Sequence, residues 1–185
     1  MRAAPSFIRP LADADREAVI GLLHELNLYE DALTGDRARE RAAAVECLAE
    51  NDGRVAKGGA QLVAEREGQV LGYLCFVHER APAYVRPEWR DYGAVVDLVV
   101  AEGARGQGVG RALIAEAERL AREASFAHLG IGHVAGNEGA GRLYRSLGFR
   151  LQSVDLWKRL DAASGAAGPA AGPSGADPAG AGGAR

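Results

Sequence analysis

The stretch 95–121, VVDLVVAEGARGQGVGRALIAEAERLA, constrains this chain more than any other. Residues 94–100 are almost wholly apolar, as expected of a strand covered on both faces. The strand runs into a turn containing Gly103, Gly106, Gly108 and Gly110. An amphipathic helix follows at once, with Leu113, Ile114, Ala117, Leu120 and Ala121 on one face. Glycines let the backbone approach a ligand and aim several N–H groups in one direction. A helix N-terminus adds unpaired donors and a positive dipole end. Together they suit a phosphate or pyrophosphate. A tight strand-to-helix turn without a ligand uses the same glycines, and both readings stand at this point.

Two familiar phosphate loops are excluded. A P-loop needs Lys and then Ser or Thr after its last glycine, and here Arg111-Ala112 follows Gly110. The dinucleotide fingerprint needs a third glycine where Arg111 stands, in the first strand of its unit. This strand is the fourth in the chain. What fits is Arg105-x-x-Gly108-x-Gly110.

The remaining pattern is mixed α/β. Residues 6–10 read as a short strand. Asp13 is a candidate N-cap for a helix with Val19, Leu22, Leu23 and Leu26, and Asp36 for a second with Ala42, Val45, Leu48 and Ala49. Residues 61–65 and 69–78 read as a hairpin around Glu67-Gly68. Residues 79–92 read as a loop. After the 95–121 unit come a strand at 128–134, a helix at 137–147 ended by Gly148, and a final strand at 149–160. Residues 162–185 hold only Ala, Gly, Pro, Ser, Asp and a last Arg. With nothing large to bury, they read as a disordered tail behind a folded domain over residues 1–161.

The formal net charge of -3 argues against non-specific nucleic-acid binding. No apolar run nears the ~18–20 residues of a membrane span, and the N-terminus lacks an export signal, so the cytoplasm is expected. Cys47 and Cys75 fit a reducing compartment, and the cysteines and histidines show no metal-ligand spacing. No Ser or Cys nucleophile motif occurs.

Arg105-Gly106-Gln107-Gly108-Val109-Gly110 resembles the R/Q-x-x-G-x-G/A acyl-CoA loop of the GNAT superfamily of N-acetyltransferases. A second block, NEGAGRLYRSLGF at 137–149, is similar to that superfamily's pattern at Asn137, Ala140, Leu143, Tyr144, Gly148 and Phe149. The blocks stand in the right order, one helix and one strand apart, and the resemblance covers residues 6–160. It implies a mixed, largely antiparallel twisted sheet, splayed at its central strands and flanked by helices. It also implies acetyl transfer from acetyl-CoA to a primary amine, first a small molecule, by direct attack in a ternary complex. A protein N-terminus or lysine is the second acceptor class. A non-catalytic acyl-CoA sensor, or an assembly partner, is the rival outside enzymes.

The resemblance assigns roles. Backbone groups of Leu98, Val99 and Val100 would pair with the pantetheine arm as an added strand. The amides of Gly106, Gln107, Gly108, Val109, Gly110 and Arg111, next to Arg105, would hold the pyrophosphate. Asn137 would bond the cofactor arm. Tyr144 would act as general acid to the departing thiolate, unless it merely packs against Ala140 and Leu147. The superfamily's two familiar base positions hold Val96 and Gly132. Asp97, an acid inside an apolar strand, is the first substitute, although it also suits a structural ion pair or cap. His133 is the second, and a water chain is the third. Tyr84, Trp89 and Tyr92 are candidates to wall the amine pocket. Glu25, Glu30 and Asp31 are candidates to attract it. A homodimer through sheet edges is common for proteins of this shape.

Overall fold

A computed structural model describes residues 7–158 and 160. The sequence-predicted tail at 162–185 lies outside the described residues. The order is β1 (Phe7–Pro10), α1 (Arg16–Thr34), α2 (Arg41–Val55), β2 (Gly59–Arg66), β3 (Gln69–Arg80), β4 (Asp91–Val100), α3 (Val109–Glu123), β5 (Leu129–Ile131) and α4 (Glu138–Ser146). The sheet runs β1-β2-β3-β4-β5, antiparallel until the parallel β4–β5 pair.

Strand alternation sorts the core into two layers. Leu62, Ala64, Leu74, Phe76 and Val95 pack with Val109, Leu113, Ile114 and Ala117 of α3 and Tyr144 of α4. Val63, Tyr73, Cys75, Val77 and Val99 pack with Val19, Leu22, Leu23, Ala44 and Leu48 of α1 and α2. The sheet is therefore buried on both faces, as the apolar run in β4 implied.

One irregularity positions the site. Cys75 of β3 pairs with Asp97, but Phe76 pairs with Val95, so Val96 is an extra residue in β4. Counting by twos from Val95 would put Asp97 on the α3 face. The bulge turns it to the α1/α2 face instead. The β4–β5 ladder stops at Val95–Ile131, where the bulge begins, and the two strands part from there.

Several expected boundaries shift. α2 begins after Glu40 rather than at Asp36, whose carboxylate instead accepts a 2.5 Å bond from the Thr34 hydroxyl. A 3-10 turn, Asp13–Asp15, precedes α1; the Asp15 carboxylate takes the Ala12 N–H and two nitrogens of Arg9. β3 and β4 extend into the expected loop 79–92, leaving a 3-10 turn at Pro87–Trp89. β5 is three residues long, so His133 lies beyond its end rather than on a strand. The expected final strand at 149–160 does not appear among its described residues. Phe149 packs against Tyr144 with ring centroids 6.0 Å apart, but residues 151–158 have no regular structure. Leu151, Val154, Leu156, Trp157 and Leu160 are exposed. Alternating apolar residues form a strand only in a ladder, and none of the described residues 151–158 is in one.

Candidate active site

The glycines of the 105–110 loop have separate physical reasons. Gly106 and Gly108 adopt φ of 72° and 85°, the left-handed region that side chains resist. Gly108 is the residue from which α3 starts. A Cβ on Gly110 would stand 3.3 Å from the Leu143 side chain, so this glycine brings α3 and α4 together. Gln107 fastens the loop by donating to the Gly103 carbonyl at 2.7 Å while accepting from Arg66 at 2.8 Å. Arg105 donates to the Val100 carbonyl at 3.1 Å, and its guanidinium lies 5.9 Å from the Tyr29 ring centroid.

This loop walls a cavity of about 640 Å³. Leu98, Val99 and Val100 line one side, Gly106, Gly108, Val109, Gly110 and Arg111 the loop end, and Asn137 and Tyr144 the α4 side. Of the sequence-predicted donor residues only Gln107 is missing from the lining. Asn137 is the N-cap of α4: its Oδ1 accepts from the Ala140 N–H at 3.1 Å, and its NH2 has no partner among the described residues.

A second cavity, of about 450 Å³, opens where β4 and β5 part. Asp97 and Val96 line one side, His133 and Gly132 the other, with Glu30 and Arg37 at the α1 end. Leu26, Leu98, Asn137, Ala140 and Tyr144 line both cavities. Tyr144 thus stands where the two meet. Burial, and secondarily the charge of Glu30, push its phenol up to about 12.

Asp97 is held from α2. Its Oδ2 accepts from Asn51 Nδ2 at 2.7 Å, and the Cys47 thiol lies 3.9 Å from the same oxygen. Its Oδ1 has no hydrogen-bond partner among the described residues. Burial pushes the carboxyl above its ordinary value, and the Asn51 bond partly opposes this. His133 is exposed, with Nδ1 3.0 Å from the Val134 carbonyl and its ring centroid 5.9 Å from that of Tyr144.

The aromatic candidates lie elsewhere. Tyr84 is 87% exposed, and Trp89 packs at a tilt against His128 with ring centroids 4.7 Å apart. Tyr92 packs over Gly130. None of the three lines either cavity. Of the acidic candidates, Glu30 lines the second cavity, bonded to Arg37 at 2.9 Å. Asp31 accepts from the Arg37 backbone, and Glu25 is exposed. Sequence reasoning missed Asn51, whose signal was a polar residue in register with Ala44 and Leu48 on the buried face of α2. It also missed Leu26 and Tyr29, which continue the α1 stripe to the first cavity.

A strand that parts from its neighbour, a glycine-rich helix start beside it and a tyrosine between two cavities define an acyl-CoA-dependent N-acyltransferase fold. A sequence profile of the acetyltransferase (GNAT) family matches residues 24–149, and the chain belongs to that family. No curated protein sequence matches it. Among solved structures it resembles a transcriptional regulator from Bacillus halodurans C-125, at 20% identity over 84% of this chain and 99% of that one, with TM-score 0.66. It resembles an aminoglycoside antibiotic 6'-N-acetyltransferase from Acinetobacter haemolyticus at 20% identity, 84% and 99% coverage and TM-score 0.62. It also resembles AAC(6')-Iy in complex with the bisubstrate analogue CoA-S-monomethyl-acetylneamine, at 16% identity, 84% and 98% coverage and TM-score 0.65.

Proposed function

We propose that this protein transfers an acetyl group from acetyl-CoA to a primary amine of a small molecule, by direct attack within a ternary complex. The observation that carries this reading is the shared wall of the two cavities. The larger is bounded by strand-edge backbone and a helix N-terminus, which suit a pantetheine arm and a pyrophosphate. The smaller carries Asp97 and Glu30, which suit a cation. The likeness to an aminoglycoside 6'-N-acetyltransferase and to AAC(6')-Iy bound to a CoA bisubstrate analogue supports small amines and CoA as the two ligands.

In this reading the amine enters as an ammonium, since an alkylamine near pKa ~10 is mostly charged at neutral pH. Asp97 Oδ1 takes one proton from it. The freed nitrogen attacks the thioester carbonyl carbon, the carbon–sulfur bond breaks, and CoA leaves as a thiolate. Tyr144 faces that sulfur. A phenol at about 12 is a much weaker acid than a thiol near ~8.5, so full transfer would be uphill by roughly 5 kcal/mol. Tyr144 therefore acts by donating a hydrogen bond to the developing thiolate while keeping its proton. The attacking nitrogen sheds a second proton as the amide forms; one of the two amine-derived protons ends on the CoA thiolate and the other passes to solvent, which leaves Asp97 again as the carboxylate.

The test is calorimetry with acetyl-CoA, then thiol release against a panel of amines on the same sample. Binding with release on one amine class is expected. Binding without release on any amine would favour a protein acceptor or an acyl-CoA sensor. No binding would overturn the reading of the 105–111 loop.

A further inference from the structure

Asp97 sits at the end of a continuous chain of side-chain hydrogen bonds that begins at the protein surface. Arg16 donates to both oxygens of Asp52, at 3.3 and 2.7 Å. Gln61 Nε2 donates to Asp52 Oδ1 at 2.7 Å. Tyr73 Oη donates to Gln61 Oε1 at 2.7 Å. Asn51 Nδ2 donates to Tyr73 Oη at 3.1 Å and to Asp97 Oδ2 at 2.7 Å. Tyr73 is fully buried and Asn51 is 2% exposed.

The polarity of this chain follows from donor counting. Ionised Asp52 only accepts, so Gln61 must turn its NH2 to it and its oxygen inward. The Tyr73 hydroxyl must then give its one hydrogen to Gln61 and can only accept from Asn51. Asn51 must therefore present its NH2, and its second N–H falls on Asp97. We infer that Asn51, Tyr73 and Gln61 are positioning residues, oriented by the Arg16–Asp52 pair, that keep a donor on Asp97 Oδ2 and so leave Oδ1 as the proton-accepting oxygen in the second cavity. This rests on Asp97 being the base in the proposed reaction. A donor at Oδ2 favours the carboxylate, which a base must be before each turnover. With the Asn51 amide reversed, its carbonyl would meet Oδ2, an arrangement only the protonated acid satisfies.

Other titratable and charged groups face Asp97. From α2 these are Cys47, Glu50 and Arg54, and from β3 Tyr73 and Cys75. Across the cavity they are Glu30, Arg37, His133 and Tyr144. The substitutions below leave all of these in place except Tyr73.

The experiment is the pH dependence of kcat in the full chain, using the amine found by the panel, for wild type, Asp97→Asn, Asn51→Leu and Tyr73→Phe. Asp97→Asn is expected to lose most activity and the acidic limb. Asn51→Leu is expected to move the acidic limb up by about one pH unit, the scale of a hydrogen bond to a charged group. Tyr73→Phe keeps the ring, and its limb should move the same way by less. KM for acetyl-CoA should stay within about twofold in both. An inactive Asp97→Asn with wild-type limbs in the other two variants would overturn this inference while leaving the base assignment standing. An Asp97→Asn enzyme with wild-type kcat and limb would overturn the base assignment itself. Should the buried substitutions fail to fold, the side-chain amide resonances of Asn51 in the wild-type protein supply the readout. They should titrate with the midpoint of the kcat limb, and flat resonances would overturn the inference.

Discussion

Asn51 of α2 donates a 2.7 Å hydrogen bond to Asp97 of β4, across 46 residues of sequence, on the α1/α2 face of the sheet. This bond is what makes a buried acid tolerable there. Burial still outweighs it, so Asp97 titrates above its ordinary value.

The raised acid predicts opposed effects on stability and activity. An unfolded Asp titrates near ~3.9. A folded value above that means folding takes up protons, so the contribution of Asp97 is favourable at low pH and is lost as pH rises through the folded value. Asp97→Asn should therefore melt above wild type at pH 8, with the gap closing towards pH 4. Its kcat should fall by roughly 10²–10⁴. Calorimetric melting at both pH values and thiol-release kinetics check this.

Tyr144→Phe removes the hydroxyl between the cavities and leaves the ring between His133 and Phe149. Affinity for acetyl-CoA should change less than about twofold, and kcat should fall about 10- to 100-fold, the worth of one hydrogen bond to a developing charge. Because the phenol sits at about 12, no alkaline fall in kcat is expected below pH ~10. Calorimetry and a rate profile separate the two effects.

Gly108→Ala tests the loop. Nothing lies within 4 Å of the added Cβ, so the cost is the backbone conformation at φ 85° alone. That cost is ~1–2 kcal/mol, or about 2–8 °C of melting temperature in a chain of this size. Acetyl-CoA affinity should fall with it. Gly110→Ala should be milder in conformation, since the nearest atom is the movable end of Leu143 at 3.3 Å.

Cys47 and Cys75 should be poor nucleophiles. Burial first, and the neighbouring Asp97 second, push their thiols up to about 11 and about 12. Alkylation of the native protein by iodoacetamide at pH 8 should be far slower than that of a free thiol near ~8.5. Mass spectrometry of the time course measures it, and unfolding should abolish the protection.

The nine elements from β1 to α4 were legible because their apolar periods are regular and two of them frame a glycine turn. The segment after Phe149 was not, because its alternating apolar residues describe a strand without saying what would pair with it. The donor half of the site was legible for a related reason. It is built from backbone, and backbone that must adopt φ of 72° and 85° is marked by glycine at Gly106 and Gly108. The acceptor half is built from side chains of α1, α2 and β4 whose meeting depends on register. Asn51 reaches Asp97 only because of a bulge that no local pattern announces. Tyr84, Trp89 and Tyr92 looked like a pocket wall because aromatics cluster there, yet a loop's composition does not say which way it folds.

The bulge at Val96 is a residue the packing could spare. Removing it would move Asp97 into the slot of Val96, on the same face, and leave Leu98, Val99 and Val100 facing the layers they face now. β4 would become an ordinary strand, free to go on pairing with β5 past Val95 and Ile131. A one-residue deletion would thus keep a sound sheet while zipping shut the gap between those strands. The shortened protein should fold and remain empty-handed, a scaffold with its doorway sealed.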